Sequence, residues 1–288
     1  MARSTRTALT LVLAAAALAC GSPAKRPSSP TEVKAISAAA LPAAPDDPAW
    51  RAAPVHAAQL LLQDVVEPRQ LAATTASIEA QAMTDGKSIA FRLAWAAAVR
   101  SDAVTPSGFS DAVAVQLPGA PGPDVPNPMM GEAGKPVEIT YWRAAWQATV
   151  DGRPDTVAAL YPNSRVDTYP FESPSLVAGS PEQIAMARRY APARALGNPM
   201  AGPRAGPVQD LVAAGPGTLR PAEKAVSTGA GKATREGWAV VIVRPLPAGA
   251  KPGARSQVAF AVWQGKKGEV GARKMRTGWI PLALEGAR

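Results

Sequence analysis

The 288-residue chain has one cysteine, Cys20, and one histidine, His56. A single thiol cannot close an intrachain disulfide. It also excludes a CxxC metal or iron–sulfur site and a CxxCH haem attachment. A Cys–His or Ser–His–Asp arrangement would have to use His56, in Pro54-Val55-His56, and a surface position is the expectation for that residue. The carboxylates Asp46, Asp47 and Asp85 sit in turn sequences, where hydrogen bonds to nearby backbone account for them. Gly229-Ala230-Gly231-Lys232 has neither the spacing nor the following Ser/Thr of a phosphate loop. Ordinary hydrolytic, thiol and zinc chemistry are therefore poorly served.

The position of the cysteine is informative. Arg3 and Arg6 precede a short apolar run from Ala8 to Ala17, and Ala17-Leu18-Ala19-Cys20 resembles a bacterial lipobox. Residues 1–20 are expected to be a lipoprotein signal peptide, with Cys20 becoming the lipidated first residue of an exported protein on the periplasmic side of a membrane. The apolar run is short for a transmembrane span. Residues 21–45, rich in Pro, Ser and Ala, are expected to form a flexible linker. The net charge is +9, and losing Arg3 and Arg6 with the signal leaves +7. Such a surplus suits an acidic partner or an anionic membrane surface. The basic residues form no dense run with interleaved aromatics, so nucleic-acid binding is excluded as a reading.

Beyond Asp47-Pro48-Ala49-Trp50, an aromatic anchor at the start of the domain, the elements read as strands. In residues 87–95 Ile89, Phe91, Leu93 and Trp95 point one way and Ser88, Ala90, Arg92 and Ala94 the other. Residues 112–117 alternate again. Residues 137–150 read as one long strand or two joined by a bend. Residues 238–243 and 258–263 are continuous β-branched and aromatic runs, and 278–282 closes the domain. With 30 prolines and 24 glycines between such runs, the expected fold is all-β. It is an antiparallel, immunoglobulin-like β-sandwich over residues 46–288. Residues 151–235 are read as a loop-rich insertion carrying short helices, one around Pro181–Tyr190.

The motifs occur in a recognisable order: DPAW, FRLAW, FSDAVAVQLP, PMMG, VEITYWRAAW, GTL, GWAVVIVRPL, VAFAVWQG and GARKMRTGW. Together they resemble the haem b (gamma) subunit family of the type II dimethyl sulfoxide reductase enzymes, whose best-known member is the gamma subunit of ethylbenzene dehydrogenase. The resemblance covers nearly all of residues 46–288 and implies a β-sandwich holding one non-covalent haem b. It implies electron transfer without catalysis by this chain itself, with a molybdopterin catalytic subunit and an iron–sulfur subunit as partners.

The family's axial ligands, a methionine and a lysine, fall on Met130 in Pro128-Met129-Met130-Gly131 and on Lys274 in Arg273-Lys274-Met275. A thioether is a soft ligand that favours ferrous iron, and a lysine must be neutral to ligate. Against this stand the ordinary roles of methionine as a gap-filler and lysine as a solvated cation. Met129, Lys224 and Lys232 are the fallback ligands. Arg92, Arg273 and Arg276 are candidates to meet the haem propionates, and Trp142, Trp263 and Trp279 to wall the haem. Two protein ligands would leave no open iron position. The competing readings are a carbohydrate-binding-module-like sandwich lipoprotein without haem, and a structural lipoprotein without any ligand.

Overall fold

A computed structural model describes residues 31–105, 108–154, 157–163, 177, 179–190, 192–196 and 204–286. The expected signal peptide, Cys20 and residues 21–30 lie outside the described residues. The strands are β1 (Val33–Ser37), β2 (His56–Gln59), β3 (Leu61–Leu62), β4 (Ser77–Thr84), β5 (Ser88–Ala96), β6 (Ala112–Pro118) and β7 (Val137–Arg143). After them come the helices α1 (Ala144–Val150), α2 (Val157–Leu160), α3 (Pro181–Tyr190) and α4 (Pro192–Ala195). The remaining strands are β8 (Val208–Ala213), β9 (Arg220–Pro221), β10 (Thr228–Ala233), β11 (Gly237–Pro245), β12 (Arg255–Trp263), β13 (Met275–Arg276) and β14 (Ile280–Leu284).

These strands make two packed layers. The first runs β10-β11-β5-β4-β1-β14, with β2 on the free half of β4. The second runs β12-β6-β7-β8-β9, continued on the other side of β12 by β13 and then β3. Strand β12 belongs to both layers: Arg255 to Val258 pair with β14, and Ala259 to Trp263 pair with β6. All pairings are antiparallel except those of β1, which lies parallel to β4 and β14. The expected sandwich is therefore present.

Alternation fills the interior. Ile89, Phe91, Leu93 and Trp95 of β5 face Val113, Val115 and Leu117 of β6 within one apolar core. Phe91 meets Phe260 edge-on at 6.2 Å, and Trp142 meets Trp95 at 6.2 Å and Trp238 at 5.3 Å. Such pairs contribute roughly 0.5–1.5 kcal/mol each beyond their burial. The glycines of residues 229–232 serve this packing. A Cβ at Gly231 would collide with the Trp142 ring, and the Gly231 N–H donates to Gln147 Oε1 at 2.8 Å.

Several sequence expectations need correction. Residues 33–45 are not linker: Val33 and Ala35 are buried as β1 takes its place inside the first sheet. Alanine-rich alternation over so few residues gives little local signal, and its hydrogen-bond partners lie far along the chain. Residues 208–235 are not loop insertion but contain β8, β9 and β10. The second half of 137–150 is helix α1 rather than strand. There Ser110 Oγ accepts the Ala145 N–H at 2.8 Å, and alanine favours the helix. His56 is buried on β2, not at the surface. Trp50 is the anchor expected, donating to Ala44 O at 3.0 Å, and α3 coincides with the short helix expected. Among the described residues no helix is long and apolar enough to cross a membrane.

Candidate functional site

Strands β6, β7, β8 and β12 turn a second set of side chains away from the sandwich core. Their centre is built from small residues, Ala114, Ala259 and Ala261, while Ile139, Leu211, Tyr141 and Trp263 stand around them. Small side chains flanked by large ones leave a depression. The result is a predominantly apolar cavity of about 720 Å³ on the outer face of the second sheet, within the usual range of ~300–1,000 Å³ for cofactor pockets. Tyr141 packs edge-on to Trp263 at 5.3 Å and to Trp146 at 5.4 Å. Burial pushes its hydroxyl up to about 12, so it stays a neutral wall.

Met129 and Met130 reach this cavity from the loop between β6 and β7. The loop is held by hydrogen bonds to β6, within itself and to the turn after β8. Gln116 Nε2 donates to Pro128 O at 2.8 Å, Gly131 N to Asn127 O at 2.9 Å, and Gly215 N to Met130 O at 2.8 Å. Met130 has φ 71°, the only left-handed backbone at a non-glycine residue among those described. That conformation costs about 1–3 kcal/mol, and such strain collects at ligand clamps. Gly131 follows at φ 79°, and a Cβ there would press on the carbonyls of Lys135 and Ala213. The Met-Gly pair therefore has a conformational reason for its order.

Lys274 enters from the opposite side, just before β13. Its segment is held by buried polar groups. Trp263 Nε1 donates to Gly271 O at 3.0 Å, Gln63 Nε2 to Ala272 O at 3.0 Å, and Gln63 N to Lys274 O at 3.2 Å. Buried Glu269 accepts from Gln264 N at 2.6 Å, from Gln70 Nε2 at 2.8 Å and from Thr74 Oγ1. The Lys274 Nζ lies 5.3 Å from the centre of the Trp263 ring, and no carboxylate pairs with it among the described residues. Burial, helped by the Arg276 charge, lowers its pKa from 10.5 to about 8. The amine is thus far easier to deprotonate than a solvated lysine.

Met130 and Lys274, 144 positions apart in sequence, line one cavity. Among the other sequence candidates, Met129, Arg276 and Trp263 line it as well. Four others do not. Arg92 is on the first sheet, donating to Pro45 O at 2.7 Å and Gln81 Oε1 at 3.0 Å. Trp142 is sealed in the sandwich core. Arg273 and Lys224 are exposed, and Lys232 pairs with Asp46. Trp279 supports the methionine loop from behind, donating to Pro126 O at 2.6 Å. Arg143, Gln209 and Tyr141 line the cavity and were not among the candidates. The signal for two of them was present: Arg143 and Tyr141 alternate with Trp142, so they share the face opposite to it. Among the described residues no group of three or more His, Cys, Asp or Glu could hold a metal ion.

A family model described as ethylbenzene dehydrogenase matches residues 47–190, a span that contains Met130 and stops short of Lys274. No curated protein matches the sequence. Among solved structures, a family 9 carbohydrate-binding module from Caldicellulosiruptor kristjanssonii bound to cellotriose aligns over 89% of this chain and 94% of its own, at 9% identity and TM-score 0.43. The same module with glucose aligns over 89% and 96%, at 8% identity and TM-score 0.41. A protein from Bacteroides uniformis described as carbohydrate-binding aligns over 88% and 97%, at 12% identity and TM-score 0.44.

Proposed function

Since this chain belongs to the ethylbenzene dehydrogenase family, we propose that it is an exported, lipid-anchored b-type cytochrome serving as the electron-transfer subunit of a molybdenum oxidoreductase. Its partners in this reading are a molybdopterin catalytic subunit and an iron–sulfur subunit, and Cys20 carries the lipid. The observation that carries the reading is the cavity lined by both the Met130 thioether and the half-buried Lys274 amine.

Haem b is an apolar disc with an iron at its centre and two carboxylates at its edge. The residues present fit each part. The alanine floor and aromatic walls take the disc, and Met130 and Lys274 supply a soft and a neutral donor for the iron. Two arginines, Arg143 and Arg276, line the cavity with buried Nε atoms that have no acceptor. When bound, the haem would supply one-electron redox chemistry, and Met130 and Lys274 are the residues that would hold its iron. The chain's own residues exclude water from one face, hold the lysine segment through Gln63 and Glu269, and hold the methionine through its fixed loop. A bound sugar would ask instead for hydrogen-bonding groups across its whole ring, which an alanine floor does not offer.

The test is an absorption spectrum of the full chain supplied with haem and then reduced. A sharp low-spin α band that moves on Met130→Ala and on Lys274→Ala is expected. A protein that stays colourless in the presence of haem would end this reading.

A further inference from the structure

Three arginines line the cavity besides Lys274, and they are not equivalent: Arg220 of β9 is exposed, while Arg143 and Arg276 each bury an Nε atom. Arg143 ends β7 on the cavity face. Its cross-strand partner is Ala112 of β6, whose own partner on the other side is Trp263 of β12. Lys274 follows on the far side of Trp263, next to the pairing of Met275 with Val262. Arg143 and Lys274 therefore stand about three strand spacings apart, roughly 14 Å, at opposite sides of one row. Arg276 lies beside Lys274, close enough for its charge to act on it.

Arg143 is left in need of an anion. Its Nε is shut off from water with no acceptor, and no described carboxylate pairs with it. Its guanidinium lies 5.7 Å from the centre of the Trp146 ring, and Arg204 lies 3.8 Å over the same ring. Two cations thus share one indole, and burial, followed by the neighbouring Arg143 charge, lowers the Arg204 pKa. On the neighbouring strand the buried Gln209 Oε1 also lacks a partner. Turned end over end, that amide would present its NH2 to the same place. A buried polar group without a partner costs about 1–3 kcal/mol, and a carboxylate bridging Arg143 and Gln209 would satisfy both.

We propose that Arg143, assisted by Gln209, binds a carboxylate on the edge of the porphyrin and so fixes which way round the haem enters the cavity. This rests on the haem reading above. Arg276 is the poorer receiver, because a carboxylate there would also sit beside Lys274 and pair with its ammonium, drawing it away from iron.

The proposal is tested by titrating the haem-free full chain with ferric haem b and with its dimethyl ester, in which both carboxylates are methylated, following absorbance. Haem is expected to bind at least about tenfold more tightly than the diester, as the loss of a charge-assisted contact implies. Arg143→Gln should weaken haem by a similar factor and the diester by less than about twofold, erasing the preference. Arg276→Gln should leave the preference in place. Equal binding of both porphyrins by the unaltered chain, which needs no variant to fold, would overturn the arginine assignment while leaving haem binding intact. A preference erased by Arg276→Gln instead would do the same. If neither porphyrin binds, the haem reading falls and this assignment with it.

Discussion

The two faces of the second sheet are built from the same strands to opposite ends. On β6, Val113, Val115 and Leu117 enter the sandwich and meet large partners, while Ala112, Ala114 and Gln116 face outward. On β12, Val258, Phe260 and Val262 enter it, and Ala259, Ala261 and Trp263 face the cavity. All seven residues of β6 are buried. The inner face is closed by protein, with aromatic rings interlocked across the layers. The outer face is walled by protein but floored with small residues, and its polar groups include arginine atoms without acceptors. Burial alone does not distinguish a core from a site; side-chain volume and unmet hydrogen bonding do.

The comparison is broken most severely by exchanging volume between the faces. Ala261→Trp puts an indole on the cavity floor and is expected to weaken haem binding on the order of a hundredfold. It should change urea-unfolding stability by no more than about 1 kcal/mol. One residue away, Phe260→Ala is expected to cost about 3–5 kcal/mol of stability while each folded molecule still takes up haem. If Ala261→Trp unfolds the protein and Phe260→Ala leaves its stability unchanged, the division between the faces is wrong.

Met130→Gly separates site from scaffold more finely. Glycine accepts the left-handed backbone without strain, so the haem-free protein should hold its stability or gain about 1 kcal/mol. The low-spin spectrum should be lost. A large loss of stability instead would make Met130 a packing residue.

Lys274 gives the comparison a pH axis. A proton and iron compete for one lone pair, so haem affinity should rise by about tenfold per pH unit below 8 and level off above it. In Lys274→Ala the slope should vanish. Without haem the sign is set by linkage. Between pH 8 and 10.5 the unfolded chain holds this proton more tightly than the folded one, so stability should rise with pH there.

The smallest expected effect belongs to the polar groups that tie the segments together. Asp111 accepts the Trp238 Nε1–H at 2.8 Å, the Ser101 N–H at 2.8 Å and the Gly265 N–H at 2.7 Å, and burial raises its pKa. Burial also raises that of Glu269. Groups with raised folded pKa values stabilise the fold as pH falls from neutrality towards their unfolded values near 4. Thermal melts should show this gain, and Asp111→Asn with Glu269→Gln should flatten it without altering the porphyrin preference.

The strands with large alternating side chains were legible in the sequence, because β5, β6, β11 and β12 announce themselves by volume. Strand β1 was not, since Val33, Ala35 and Ser37 give a weak alternation that only distant pairing makes a strand. Strands β8 to β10 were hidden for a similar reason: β10 is TGAGKA, whose Gly231 is needed to admit Trp142 and whose Gly229 is needed to admit Val208 from the other layer. Of the site, Met130 and Lys274 were reached through the resemblance, and their common cavity required the fold. Arg143 could have been read from its alternation with Trp142. Arg92 was misread because an arginine on a half-buried strand says nothing about which sheet will carry it.

The position of β1 also sets a length. Because the sheet takes hold of the chain at Val33, only 12 residues separate it from the proposed lipid at Cys20. Even fully drawn out these reach no more than about 45 Å. Had the domain begun at Asp46 the leash would have been twice as long. If the chain is the lipid-anchored cytochrome proposed above, such a short mooring would let it trade electrons only with carriers that travel near the bilayer surface, and its orbit rather than its affinity would decide which of them it meets.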